Sequence, residues 1–186
     1  MKAGPRAKAA LLASLFLLPI VASLVAYRYT RPAPTANYGE LLLPPRGTPA
    51  HDFVARDGSA FSFGRLRGQW ILIASDSGKC ARDCRQKLHA MRQVRLALGR
   101  NASRVARVLV IDDLREPVAD LASADPGLEV VRTPRGLAIA AGAANDRAHV
   151  YLADPHGNVM IRWPSNPDLR RMFQDLERLL KASQIG

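Results

Sequence analysis

The sequence predicts an α/β sandwich with a central mixed sheet, preceded by one N-terminal transmembrane helix. Two observations predict this class. Short apolar runs typical of buried strands alternate with longer segments of helical periodicity through the C-terminal part of the chain. The N-terminal part contains one long apolar run without charge. What remains of the 186 residues after that run has the size of one ordinary domain.

The N-terminal run at residues 9–27 has no charged side chain, and about 20 apolar residues are enough to cross a bilayer. Basic residues precede it within positions 1–8, and the positive-inside rule keeps such a flank in the cytoplasm. We therefore expect a single-pass anchor in a bacterial inner (cytoplasmic) membrane, with the rest of the chain facing the periplasm. A cleaved signal peptide is the alternative, although its apolar region is usually shorter, at about 7–15 residues.

Residues 28–50 are rich in proline, which favours an extended backbone and discourages helix. We expect this segment to be a tether that leads to one domain at 51–186. The chain carries a net charge of +11, so an anionic membrane surface or an acidic protein is the expected partner. Nucleic acid is not, because a domain outside the cytoplasm rarely meets it and aromatic residues, at 6% of the chain, are too few for stacking platforms.

The first half of the domain predicts a hairpin, two buried strands and a helix. Residues 53–63 are typical of a hairpin that turns at Asp57 and Gly58, and residues 69–75 and 107–112 are typical of buried strands. A helix begins near Cys84 between these two strands, with its basic residues, Lys87 among them, off its apolar stripe. The stripe consists of Leu88, Met91, Val94 and Leu98.

The second half predicts a short helix at 117–123, an edge strand at 128–131 and a hairpin around the turn at 154–157. Asn166 and Pro167 supply an N-cap and a first-turn proline for a last helix. Its apolar face consists of Leu169, Phe173, Leu176 and Leu180. The order strand, helix, strand, helix, hairpin, helix is that of the thioredoxin fold.

The two cysteines of the chain, Cys80 and Cys84, lie where the first buried strand leads into its helix. Within a helix, positions i and i+4 have Cβ atoms roughly 5–6 Å apart, so one metal ion could bridge the two sulfur atoms. A disulfide prefers Cβ atoms roughly 3.5–4.5 Å apart and needs Cys80 in a loop conformation, which Gly78 permits. The helix N-terminus favours the thiolate form, which attacks disulfides and binds soft metals.

The segments CARDC, residues 80–84, and HVYLADPHGN, residues 149–158, resemble the Sco family of cytochrome oxidase assembly proteins. Sco proteins are membrane-tethered thioredoxin-like domains that bind copper through a Cys-x-x-x-Cys loop and a distant histidine. The resemblance implies a copper chaperone rather than an enzyme, with Cys80, Cys84 and His149 as the ligands of Cu(I). Soft thiolates and imidazole suit this ion. The implied partner is a respiratory oxidase subunit or another assembly factor.

The chain departs from the Sco pattern both at the cysteine pair and at the histidine. Sco proteins usually carry proline after each cysteine, where this chain has Ala81 and Arg85. Their histidine usually lies at the position that Asp146 occupies here, whereas His149 lies closer to Tyr151. The chain is therefore identified as a divergent Sco-like branch.

Two other classes of function remain open, and the first of them would use the same cysteine pair. In a periplasmic thiol-disulfide oxidoreductase, Cys80 would be the attacking and Cys84 the resolving catalytic thiol. Such proteins commonly have Cys-x-x-Cys and a proline before the strand that faces the thiols, and the sequence NDRAHVYL has no proline there. The other alternative is a non-catalytic, membrane-tethered interaction module, in which the thioredoxin fold is kept but its thiol chemistry is lost.

Overall fold

The computed structural model of the protein describes residues 4–29, 37–50, 53–117, 121, 125–133 and 146–183. The chain divides into two compact units, residues 1–36 and 37–186. The first unit contains helix α1, Pro5–Tyr29, with Pro19 inside it. The predicted N-terminal helix is therefore present. The predicted membrane span is not found, because no helix among the described residues is both long enough and apolar enough to cross a bilayer.

The second unit is built on a mixed sheet. Its strands are β1 Glu40–Gly47, β2 Phe53–Ala55, β3 Ala60–Phe61, β4 Trp70–Asp76, β5 Val105–Ile111, β6 Leu128–Arg132, β7 His149–Ala153 and β8 Asn158–Pro164. Within the described residues the strand order is β1-β8-β7-β4-β5-β6-β2-β3. The central strands β4, β5 and β6 are parallel, and β7 pairs antiparallel with β4. This arrangement confirms the predicted thioredoxin-like sheet.

Among the described residues, two long helices cover one face of this sheet. Helix α2, Arg82–Ala97, follows β4, and helix α3, Leu169–Ala182, follows β8. Because successive side chains of a strand point to opposite faces, alternate residues of β4 and β7 enter two separate cores. We call the side of α2 and α3 the helical face and the other side the hairpin face. The helical face includes Leu72, Ala74, Val150 and Leu152, and the hairpin face includes Ile71, Ile73, Tyr151 and Ala153.

The predicted hairpin is present as β2 and β3, and its side chains close the second core. Phe53, Phe61 and Phe63 pack edge to face, with ring centroids 5.2 to 6.4 Å apart, and each such pair adds about 0.5–1.5 kcal/mol beyond simple burial. The turn between the strands contains Gly58 at a φ of +83°, a left-handed conformation that glycine adopts without steric cost.

The predicted boundary between tether and domain is wrong for residues 40–47, which form β1 and pair antiparallel with β8. This segment was predicted to be part of the tether because it contains Pro44 and Pro45. Both prolines are accommodated because β1 is an edge strand whose pairing with β8 is interrupted between Leu41 and Arg46. Proline has no backbone N–H to donate, and this stretch of the strand does not require one. The compact unit accordingly begins at Asn37, before the predicted start at residue 51, which lies outside the described residues.

Two smaller expectations in the second half of the domain also change. The strand predicted at the sheet edge, β6, lies between β5 and β2. Helix α3 is capped by Asp168 rather than by Asn166, because the Asp168 carboxylate accepts a hydrogen bond of 3.0 Å from the backbone N–H of Arg171. Most of the short helix predicted at 117–123 lies outside the described residues.

Candidate redox and metal site

Cys80 and Cys84 form a disulfide at the junction of β4 and α2, with their Cα atoms 5.0 Å apart. Cys84 lies in the first turn of α2, while Cys80 precedes the N-cap residue Ala81 and adopts a φ of +40°. This left-handed conformation is uncommon for a residue with a Cβ atom. It turns Cys80 off the helical path, so the two sulfur atoms meet, and the expected loop conformation of Cys80 is confirmed.

Both cysteines are buried on the helical face of the sheet. Each is 1% exposed, and both belong to the core that includes Ala74, Leu88 and Leu121. A reductant or a metal donor therefore reaches the sulfur atoms only after some of the covering residues move.

The loop between β4 and Cys80 lies against the segment that follows β5. The backbone N–H of Gly78 donates to the Asp113 carboxylate at 3.1 Å. Burial alone would raise the pKa of Asp113, but hydrogen bonds from the Ser77 side chain and the Gly78 backbone hold it below its ordinary value. The ionised Asp113 carboxylate thus anchors the loop that carries the first cysteine.

Replacing Gly78 by alanine is expected to lower the free energy of unfolding by about 1–3 kcal/mol. An added Cβ would lie 2.4 Å from the carbonyl oxygen of Arg115 and 2.8 Å from that of Glu116. Backbone oxygens cannot rotate away, so the cysteine loop or its neighbour must shift. Urea unfolding of the disulfide-bonded protein measures the effect.

Gly47→Ala is the matched control for that substitution, because nothing lies within 4 Å of its added Cβ. We expect it to change stability by less than about 0.5 kcal/mol. Equal effects of the two alanines would contradict the tight contact at Gly78.

A buried lysine joins the end of β4 to the segment before β7. Lys87 lies one turn after Cys84 in α2 and has no solvent exposure. Its Nζ donates to the Asp76 carboxylate at 2.7 Å and to the backbone carbonyls of Ser75 and Arg147 at 2.6 and 2.8 Å. These three acceptors satisfy the three N–H groups of the ammonium, as burial of such a charge requires.

A second ion pair lies beside this lysine, at the end of β5. The Asp112 carboxylate accepts a hydrogen bond of 2.7 Å from the Ser75 hydroxyl and several from the Arg147 guanidinium, with Nε at 3.0 and 3.1 Å. These hydrogen bonds raise the pKa of Arg147. Lys87 and Asp112 together fix the ends of β4 and β5 and the entry to β7. From the sequence, Asp112 was only the last residue of the strand predicted at 107–112.

The described structure does not bring His149 to the cysteines. The start of β7 does lie beside the end of β4, as predicted, since Val150 pairs with Ala74. However, the His149 ring lies 5.9 Å from the Tyr151 ring, and Tyr151 belongs to the hairpin face while the cysteines belong to the helical face. The alternation of side chains along β7 is the physical reason. The geometry thus does not support His149 as the third metal ligand.

Asp146 holds the His149 imidazole in this position. The ring atom Nδ1 lies 2.9 and 3.0 Å from the two carboxylate oxygens of Asp146, and the Tyr151 hydroxyl donates to the same carboxylate. Burial alone would raise the pKa of Asp146, but the hydrogen bonds from Tyr151 and His149 lower it. Burial, followed by the Asp146 carboxylate, raises the pKa of Tyr151. This cluster is separate from the cysteine pair.

Two sulfur atoms are thus the donors that the site brings together. Within the described ranges, no group of three or more His, Cys, Asp and Glu residues is placed to hold a metal ion. The disulfide must first be reduced by two electrons before either sulfur can act as a thiolate ligand. Two thiolates are a soft donor set that suits Cu(I), so the chemistry of the pair fits this ion.

A mixed sheet with a cysteine pair where its central strand enters a helix defines the class of thioredoxin-like proteins. The chain belongs to the family described as "Transmembrane-like, thioredoxin-like, C-terminal domain", which matches residues 70–183. No protein with a curated description matches the chain.

Solved structures with the same fold include Sco proteins. Apo Sco1 from Thermus thermophilus has a TM-score of 0.63 at 17% identity, covering 79% of this chain and 99% of that chain. Yeast Sco1 with copper bound has a TM-score of 0.60 at 18% identity, covering 75% and 95%. A putative protein disulfide isomerase from Bacteroides thetaiotaomicron has a TM-score of 0.56 at 19% identity, covering 73% and 89%. The predicted resemblance to Sco proteins is confirmed in the fold.

Proposed function

We propose that the protein is a Sco-like copper chaperone that binds one Cu(I) between Cys80 and Cys84 and delivers it during assembly of a respiratory cytochrome oxidase. The observation that carries this proposal is the meeting of both sulfur atoms at the start of α2. Further support comes from the fold, which the chain shares with yeast Sco1, a protein solved with copper bound.

The disulfide and the copper-binding form are two redox states of the same pair. Two electrons and two protons convert the disulfide into two thiols, and the thiols lose their protons when the metal binds. The N-terminus of α2 favours the anionic form of Cys84, because the helix dipole and the free N–H groups of the first turn attract negative charge. Copper is the cargo in this scheme, and the reductant is a dithiol donor.

Titration of the full-length chain with Cu(I) in the presence of a competing chelator tests this function. The reduced chain is expected to bind one copper ion, and the same chain with its disulfide intact is expected to bind none. This oxidised sample is the matched control, since it differs only at the two sulfur atoms. Equal copper binding by both samples, or none by the reduced chain, would remove the copper function.

Replacing His149 by alanine is expected to leave the Cu(I) affinity of the reduced chain within about threefold of the wild-type value. The imidazole lies on the hairpin face, where Asp146 holds it. The same chelator competition measures the affinity. Since even a partner that only orients a metal ligand contributes about 10–100-fold in affinity, a loss of tenfold or more would show that His149 reaches the copper after reduction.

A thiol-disulfide oxidoreductase is the second candidate function. The formed disulfide favours it, as does the fold shared with the putative disulfide isomerase. The 1% exposure of each cysteine opposes rapid turnover, since disulfide exchange requires an accessible sulfur atom. Reduction of a small disulfide substrate by dithiothreitol separates the two functions: an oxidoreductase accelerates it in catalytic amounts, and a copper chaperone does not.

We also propose that the protein is associated with a membrane, with its second unit in the periplasm. The uncharged run at 9–27 and the transmembrane-like description of the family support this location. A C-terminal fusion to a reporter that is active only in the periplasm, combined with alkaline extraction of membranes, tests it. We expect an active fusion that stays with the membrane pellet. A shortened, extractable chain would instead indicate a cleaved signal peptide.

A further inference from the structure

The solvent-facing side of α2 carries a stripe of basic residues that begins beside the cysteine pair. These residues recur at intervals of three and four along the helix, so they project from one side of it, and each of them is exposed. We call this stripe the basic ridge. It consists of Arg82, Arg85, His89 and Arg92.

Open grooves flank the basic ridge on both sides. A groove of about 550 Å³ lies between α2 and the start of α3, where Ala90, Pro167 and Leu169 contribute apolar surface. A second groove, of about 230 Å³, lies on the other side of α2 and includes Leu121 and Leu128. Each groove therefore combines a basic rim with an apolar lining.

Among the described residues that line the two grooves, basic side chains outnumber acidic ones. Of these described lining residues, Asp125 alone is acidic. Its carboxylate is bound by the Arg107 guanidinium, with Nη2 at 2.8 Å, and lies 3.9 Å from Arg92. Arg85 is linked to the site itself, because its Nε donates to the backbone carbonyl of Cys80 at 3.3 Å.

We propose that the basic ridge and its two grooves form the docking surface for an acidic, extended segment of the protein that exchanges copper with Cys80 and Cys84. This inference rests on the proposed function. Carboxylates of the segment pair with the guanidinium groups, and its apolar side chains enter the grooves. Binding beside Arg85, which contacts the cysteine loop, brings the partner to the buried sulfur atoms.

A polypeptide fits this surface better than a lipid bilayer does. A layer of anionic headgroups would contact the crest of the ridge and leave the groove linings at Leu121 and Leu169 uncovered. An acidic segment with apolar side chains satisfies both the charge and the concave apolar surface.

Fluorescence anisotropy of a labelled peptide of Glu, Leu and Gly residues, mixed with the full-length chain in neutral detergent, tests the proposal. The same peptide with Gln in place of Glu is the control ligand. We expect the acidic peptide to bind and the neutral peptide not to bind, and we expect added salt to weaken binding. Equal binding of the two peptides would overturn the proposal.

Two double variants locate the binding surface. Arg82→Gln with Arg92→Gln neutralises two charges of the ridge, whereas Arg67→Gln with Arg100→Gln neutralises two exposed charges elsewhere. Arg67 precedes β4 and Arg100 follows α2, so both lie away from the cysteine pair. We expect the ridge variant to weaken peptide binding about five- to tenfold and the matched control to weaken it less than twofold. Equal weakening would show that net charge alone attracts the peptide and would overturn the proposal.

Vesicles rich in phosphatidylglycerol provide the competing test. Loss of vesicle binding in the ridge variant, with peptide binding retained, would assign the surface to a membrane and overturn the proposal. A parallel Cu(I) titration of the wild-type chain separates the two claims. Copper binding without ridge-dependent peptide binding would overturn the docking surface alone. Ridge-dependent peptide binding without copper would support the surface and remove copper as the species exchanged.

Discussion

Replacing Lys87 by methionine is expected to lower the free energy of unfolding by about 3–5 kcal/mol, the usual cost of removing one partner from a buried ion pair. Methionine keeps the length of the side chain but removes the ammonium. It leaves the Asp76 carboxylate, whose side chain is 12% exposed, without its counter-ion. The carbonyls of Ser75 and Arg147 lose their donor as well. Urea unfolding of the disulfide-bonded protein measures the loss.

Lys181→Met provides the matched control, because Lys181 forms an exposed pair with Glu177 at 3.1 Å. We expect this change to cost less than about 1 kcal/mol. The double variant Lys87→Met with Asp76→Asn is expected to recover part of the loss, since the buried carboxylate charge is then also removed. A similar cost at both lysines would show that the buried network contributes little to stability.

Replacing either Cys80 or Cys84 by serine is expected to reduce the Cu(I) affinity of the reduced chain by about a hundredfold or more. Serine keeps the shape of the side chain but substitutes a hard, normally protonated hydroxyl for a soft thiolate. With the described residues offering no alternative group of ligands, a single remaining thiolate binds the ion weakly. Chelator competition measures both variants.

Ala81→Ser is the control for the two cysteine variants. Ala81 lies between the cysteines and is exposed, so this change places a hydroxyl in the same loop without removing a sulfur ligand. Serine is also a good N-cap residue, and we expect the affinity to stay within about threefold. Wild-type affinity in both cysteine variants would remove copper from the site.

The local pattern of the sequence predicted the central part of the fold. Strand β4, helix α2 and the β7–β8 hairpin lie where apolar periodicity and turn residues placed them. Their positions follow from local preferences that the fold does not override. The sequence also predicted that Cys80 and Cys84 act as a pair, because only four positions separate them, but it left open whether a disulfide or a metal ion joins them.

Long-range pairing accounts for the elements that the sequence misplaced. Pro44 and Pro45 indicate an extended chain, but only the exposed edge of β8 makes that chain a strand. The interior position of β6 depends on β2 returning to pair with it. No local pattern encodes either pairing.

Two site residues show how burial limits prediction from sequence. Lys87 was predicted to lie off the apolar stripe of its helix, although it is completely buried. Its spacing of three residues from Cys84 was the available signal, since it places both on the inner face of α2. The face of the sheet on which a β7 side chain lies depends on how β7 pairs with its neighbouring strands. The motif around His149 alone therefore did not reveal on which face the imidazole lies.

X-ray absorption spectroscopy at the copper edge of the reduced, Cu(I)-loaded full-length chain tests the central claim most directly, because it counts the atoms bound to the metal. The two-thiolate site predicts two sulfur scatterers for each copper ion in the wild-type chain. It also predicts fewer than two sulfur scatterers for each copper ion when either cysteine is replaced by serine. A copper shell of nitrogen or oxygen atoms without sulfur in the wild-type chain would contradict the assignment of Cys80 and Cys84 as the metal ligands.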